Sequence, residues 1–239
     1  MSSGTRTQWV TFACFGTLVD WRPAFVSALT PLVGDQARDV VRSYETHARL
    51  VEREATYRSH KDVLALAMAR AAADCGVRVA GLDDAVLEGW ASIRPFDDVE
   101  FMLAELRLRG VRLAVLSNSD DDLFETTHAG FRTPFDLFLT AQRVRGYKPA
   151  LWHFRAFERL TGVARPDWVH VGSSWCRDIA PARAIGVRSV WLDRERTGED
   201  GSWASAHVAS ALGLADVLHP LFGHHACPAG VMAAPGCGH

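Results

Sequence analysis

Short apolar runs rich in β-branched and aromatic residues recur along this chain with helix-patterned stretches between them, and that alternation limits the fold more than any other feature. The runs are residues 8–12, 111–116, 135–139, 168–171 and 187–192. Each has the length and composition of a strand, and the first is closed by the turn-forming pair Gly16-Thr17. Amphipathic stretches such as 99–108 and 151–160 fall between them. Strands joined through helices line up in one direction, because the crossover carries the chain back before the next strand begins. Helices then cover both faces of the sheet. The expected core is a doubly wound parallel α/β sheet.

One region breaks the alternation. Residues 24–93 carry helical periodicity throughout and no convincing strand, with Arg and Glu concentrated in 39–58 and an Ala/Leu face in 60–73. A helical insertion after the first strand reads as a cap, which divides the chain into a core of residues 1–22 and 95–222 and a cap of residues 23–94. The chain re-enters the core near Pro95-Phe96-Asp97-Asp98, where Asp97 or Asp98 can cap the next helix. Residues 223–239 are mostly Gly, Pro, Ala, His and Cys without periodicity and read as a loosely ordered tail. His219, His224, His225, Cys227, Cys237 and His239 match no compact zinc spacing, so no metal is assigned to them.

Composition narrows the function. At 239 residues the chain can bury a core without disulfide staples. Its formal net charge of −2 lacks the basic excess that nucleic-acid binding requires. No stretch approaches the ~20 apolar residues of a membrane span, and the first twelve residues lack the apolar run and cleavage site of a secretory signal. The expectation is a soluble, cytoplasmic protein with no nucleic-acid or membrane partner. The five cysteines, Cys14, Cys75, Cys176, Cys227 and Cys237, are odd in number and scattered, which suits reduced thiols.

Open α/β sheets place their ligands at the carboxyl ends of the strands. Four segments stand out at such ends: Phe12-Ala13-Cys14-Phe15-Gly16-Thr17-Leu18-Val19-Asp20, then Leu116-Ser117-Asn118-Ser119-Asp120, then Gly146-Tyr147-Lys148-Pro149, and last His170-Val171-Gly172-Ser173-Ser174-Trp175-Cys176-Arg177-Asp178. In order and spacing they resemble the four motifs of the haloacid dehalogenase superfamily, over residues 10–194. One such motif alone is weak; four in order, with a helical insertion after the first, are specific. Within the superfamily they look most like the 2-haloacid dehalogenase branch. The phosphatase branch usually carries Asp at the positions of Phe15 and Ser173.

The resemblance implies a chemistry. Phosphatases of the superfamily use those carboxylates for proton transfer and to hold magnesium. Phe15 can do neither and Ser173 substitutes poorly, which argues against a phosphatase. In the dehalogenase branch an Asp of the first motif displaces halide from the carbon beside the substrate carboxylate, and water hydrolyses the resulting ester without metal or cofactor. The resemblance puts that Asp at position 13, where this chain has Ala13, so the covalent intermediate is not expected to form. Two origins stay open: a deliberately disabled variant of an active enzyme, or a natural protein that kept the pocket and lost or changed its chemistry.

Carried over residue by residue, the resemblance makes Lys148 the positive charge beside the nucleophile. Ser117 and Asn118 would hydrogen-bond the nucleophile and the substrate carboxylate or leaving group. Asp178 would pair with Lys148 and position water, or cap a helix over 179–185, or both. Ser173 and Ser174 would orient Lys148 or water, while Thr17 closes the first loop through backbone bonds and Asp20 is structural. In the cap, Arg42 would present a guanidinium to a halide or carboxylate, with Tyr57 and Trp90 as pocket walls beside Phe15 and Cys14 of the first motif. Cys14, next to the nucleophile position, should point into the core on the opposite side of the strand, so it is no replacement nucleophile.

Three functions compete. One is hydrolysis of a small 2-substituted carboxylic acid, most simply a 2-haloacid. Another is opening of a strained ring beside a carboxylate by the same route. The third is a non-catalytic protein holding a small anion. A homodimer is left open.

Overall fold

The computed structural model of the chain describes residues 7–198 and 200–223. Nearly all of the expected tail, including His224, His225, Cys227, Cys237 and His239, lies outside the described residues. Strand β1 (Trp9–Phe12) leads into a two-residue strand β2 (Val19–Asp20). Helices α1 (Arg22–Val33), α2 (Ala37–Glu52), α3 (His60–Asp74) and α4 (Leu82–Glu88) follow, then the short strand β3 (Arg94–Pro95). The chain continues with α5 (Val99–Leu108), β4 (Arg112–Ser117), α6 (Asp121–His128), β5 (Leu137–Thr140), α7 (Ala141–Val144) and α8 (Trp152–Thr161). It ends with β6 (Trp168–Gly172), α9 (Ala180–Ala184), β7 (Arg188–Leu192), β8 (Ala206–Val208) and α10 (Leu214–Leu218).

All six long-sheet strands are parallel, in the order β5-β4-β1-β6-β7-β8. The five expected runs all form strands. β8 is an addition to them, because three residues of mixed polarity carry no strand signal. The sheet is apolar on both faces, as helices on both sides require. Val10 and Phe12 point into one large cluster that is continuous with the buried faces of α1–α4. Trp9 points the other way, into a second cluster with Ala114, Leu116, Phe154, Phe157 and Trp168. Burying a side chain such as Phe12 contributes ~1.5–3 kcal/mol, so the insertion is fastened to the sheet by the same effect that holds the sheet together.

The insertion leaves and rejoins the sheet through an antiparallel ladder in which Val19 pairs with Pro95 and Asp20 with Arg94. Helix α3 starts at a capping box: the Ser59 hydroxyl accepts from the Asp62 amide, and the Asp62 carboxylate accepts from the Ser59 amide. Asp98 does occupy the residue before α5, yet it makes no capping bond there. Its carboxylate instead accepts from Arg194 at 2.9 and 3.0 Å, from the Ser210 hydroxyl and from the Ala211 amide. Two guanidinium donors outweigh the weaker pull of a helix end. Cys14 and Cys75 are free thiols as expected, whereas Cys176 is disulfide-bonded, a departure from the reading of all five as reduced.

Candidate active site

β1 has β4 on one side and β6 on the other, so the chain leaves this point of the sheet in opposite directions. A crevice opens there at the carboxyl ends, where doubly wound sheets bind ligands. Ala13 follows β1, Asn118 follows β4 and Ser173 follows β6; all three line one cleft with Lys148 and Asp178. The free volume is about 90 Å³. A water needs roughly 10–15 Å³ on this scale, so the cleft suits an acid of a few carbons and not a nucleotide.

At its floor Lys148 Nζ donates to Asp178 Oδ1 at 2.6 Å, with both side chains 4% exposed. Burial alone would raise the Asp178 carboxyl, but the Lys148 ammonium outweighs it, helped by His170 Nε2 at 3.7 Å, and holds it well below the usual carboxylate range. The second oxygen accepts from the Ser174 amide at 3.0 Å. Asp178 does not cap the following helix. It lies inside a π turn (Trp175–Ile179), and Ser174 caps that turn by accepting from the Arg177 amide. The wider turn rotates Asp178 inward, against β6, where Gly172 leaves room for it. A Cβ on Gly172 would stand 2.2 Å from that of Asp178.

The other motif residues position this pair. Asn118 Oδ1 accepts from the Lys148 amide at 2.8 Å, and its Nδ2 donates to the Lys148 carbonyl at 3.1 Å and to Glu52 at 3.3 Å. Both amide hydrogens are therefore engaged by protein. Ser117 does not line the cleft: its hydroxyl bonds Ser119 at 2.8 Å, and its carbonyl accepts from His153 Nε2 at 3.0 Å. Thr17 does more than close the first loop. Its hydroxyl donates to Ser173 Oγ at 2.9 Å and accepts from the Ser173 amide, joining the first motif to the last.

Ala13 lines the cleft at 4% exposure, and its amide extends the β1–β6 pairing by donating to the Val171 carbonyl at 2.9 Å. Cys14 belongs to the apolar cluster on the opposite side, as alternation requires, although it also borders the cleft. Burial pushes its thiol up to about 12, with Lys148 opposing only in part. Phe15 and Trp90 line the cleft, their ring centroids 5.5 Å apart. Tyr57 does not line it; its ring stacks on Tyr147 at 5.6 Å.

Arg42 does not reach the site. Its side chain is 80% exposed and pairs with Asp39. The face of α2 that lines the cleft carries Tyr44, Glu45, Ala48 and Glu52, whose spacing of one and two turns stacks them along one stripe, while position 42 lies on the far side. Glu45 is engaged by Arg22 and Arg49. Glu52 is buried, and burial raises its carboxyl against the pull of Arg177, 3.7 Å away. The insertion thus brings acids where a guanidinium was expected. His60 also lines the cleft, and burial takes its imidazole down to about 4. Sequence reading missed Glu52, His60 and Arg177. The only signal for Glu52 was its helical spacing from Tyr44.

A divalent cation does not fit these residues. Asp178 is held by Lys148, a methyl and a phenyl ring stand at positions 13 and 15, and among the described residues no three of His, Cys, Asp and Glu converge. Behind the pair, Thr11 Oγ1 accepts from Trp168 Nε1 and lies 2.9 Å from His170 Nδ1, a buried layer that braces Asp178 from the core.

A parallel sheet with a helical insertion after the first strand, and a buried Lys-Asp pair at its switch point, defines a class, and comparison with known proteins agrees with it. The chain belongs to the haloacid dehalogenase-like hydrolase family, which matches residues 16–192. An (S)-2-haloacid dehalogenase from Pseudomonas sp. (strain YL) is 32% identical over 48% of this chain and 53% of its own length. A phosphoserine phosphatase from Thermus thermophilus is 37% identical over 44% of this chain and 43% of its own. The chain thus spans about half the length of the curated relatives it matches. The structure of L-2-haloacid dehalogenase from Xanthobacter autotrophicus with chloropropionic acid covalently bound superposes with a TM-score of 0.79, covering 89% of this chain and 98% of that one. At 17% identity that likeness is one of fold. No helix among the described residues is long and apolar enough to cross a membrane.

Proposed function

We propose that the cleft takes a small 2-substituted carboxylic acid, on the plan of a hydrolase of the 2-haloacid dehalogenase type whose attacking residue is absent from this chain. The observation that carries the reading is the buried Lys148–Asp178 pair in the same cleft as the Ala13 methyl group. A carboxylate at position 13 would enter beside an ammonium that already holds its counter-charge. Its oxygen would attack C2 of a 2-haloacid, and halide would leave with the bonding pair. Water would then add to the carbonyl carbon of the ester, releasing a 2-hydroxy acid and regenerating the carboxylate. Lys148 would stabilise charge on the attacking oxygen, and Phe15 and Trp90 would limit water around it. Helices α1–α4 act as the cap, no metal or organic cofactor takes part, and the protein works in the cytoplasm as a monomer or homodimer. Phe15 and Ser173, where a phosphatase of the family would carry carboxylates, support this reading over a phosphatase.

As it stands, the chain binds its ligand without forming an ester, because a methyl group is no nucleophile. Ala13→Asp tests this. The variant is expected to fold, since Lys148 can partner the new charge, to release halide from a panel of 2-haloacids, and to show the ester as a mass increase. Turnover of only strained cyclic acids would move the substrate, turnover of only phosphate esters would move the class, and silence from a folded variant across the panel would leave a small-anion binding protein.

A further inference from the structure

The insertion side of the cleft is furnished for a positive charge. Trp21, Phe25, Tyr44 and Trp90 line it ring to ring, with the Phe25 centroid 4.8 Å from Trp21, 5.6 Å from Tyr44 and 5.7 Å from Trp90. The negative faces of such rings attract cations. Glu52 lies on the same side with its side chain only 5% exposed. One of its oxygens receives the long bond from Asn118 and faces Arg177 at 3.7 Å, beyond hydrogen-bond reach. Its other oxygen takes no hydrogen bond among the described residues. Burial raises this carboxyl above its ordinary range, as for an acid without a full counter-charge.

Charge balance points the same way. The cleft is lined by three acids, Glu45, Glu52 and Asp178, against two bases, Lys148 and Arg177. Glu45 is matched by Arg22 and Asp178 by Lys148, each within 2.9 Å. A ligand bearing only a carboxylate adds an anion to a cleft whose acids and bases already match, Glu45 with Arg22, Asp178 with Lys148 and Glu52 with Arg177. A ligand bearing one charge of each sign adds none.

We propose that the cleft selects a small zwitterion, an acid with an ammonium on the carbon beside its carboxylate, seating the ammonium among the rings against Glu52 and the carboxylate toward Lys148 and Arg177. This rests on the small-acid reading above and narrows it to 2-amino acids. The test is calorimetry on the full chain with L-alanine, (S)-2-chloropropionate and propionate, which share a carbon frame. L-Alanine is expected to bind at least tenfold tighter than either of the others. Glu52→Gln should erase that preference, so that L-alanine binds no tighter than propionate to the variant. Chloropropionate binding as tightly as L-alanine overturns the proposal and leaves the small-acid reading standing; no binding of any of the three to folded protein overturns both. Should Glu52→Gln fail to fold, the three affinities of the unaltered chain decide by themselves.

Discussion

Lys148 and Asp178 are each tolerable in the interior only because of the other. Removing one partner strands a buried charge, whereas removing both strands none. Lys148→Ala is therefore expected to destabilise the protein by ~3–5 kcal/mol in urea titrations, and the double change Lys148→Met with Asp178→Asn by clearly less. A double variant no more stable than the single would show the pair to be more open to water than its burial implies. The same chemistry sets the response to acid. Asp178 has a depressed folded pKa, so its contribution is present above the unfolded value of about 4 and fades as pH falls below it. Histidines act earlier. Burial takes His60 to about 4 and His153 to about 3, so between pH 6.5 and 4 the unfolded chain binds protons that the folded one refuses, and stability falls as pH falls. His153→Gln is expected to remove about 1.4 kcal/mol per pH unit from that slope in denaturation curves between pH 6 and 4. An unchanged slope would mean that His153 protonates freely in the fold.

Strand-ending loops were the readable elements, because a parallel sheet places them at one end regardless of detail. The order of the segments gathered them at one end, and the family resemblance they carry then singled out Ala13, Asn118, Lys148, Ser173 and Asp178 within them. Helix α2 was not readable in the same way. What it shows the cleft depends on its angular phase, and its first turn, from Ala37, carries no side-chain cap that would fix the start. A shift of two residues turns a helix by about 200°, which separates exposed Arg42 from cleft-lining Tyr44. The π turn before α9 was hidden likewise, since nothing in Trp175-Cys176-Arg177 announces an extra residue in the turn. That turn depends on the end of β6. Gly172→Ala would force its Cβ into Asp178 and is expected to destabilise by ~1–3 kcal/mol. It should also weaken propionate binding in calorimetry by displacing Asp178 from Lys148. A Gly172→Ala protein with native melting temperature and affinity would show that the turn can yield.

Metal dependence belongs to the whole molecule, because a cation that binds only the folded state stabilises all of it. With Lys148 occupying Asp178 and no three of His, Cys, Asp and Glu converging among the described residues, the melting temperature is expected to stay constant from zero to millimolar magnesium; a rise that grows with concentration would revive a phosphatase. The strand order has a consequence in time as well. The first strand made is the innermost: Trp9 pairs with Arg112 on one side and Trp168 on the other. At roughly 5–20 residues per second on the ribosome, β1 waits several seconds for its first neighbour and longer for its second. Throughout that wait an apolar segment with two open edges is exposed to other nascent chains. Ribosome-bound chains halted before residue 168 should remain open to protease at β1, and the yield of native protein should depend on how fast synthesis carries the chain past β6.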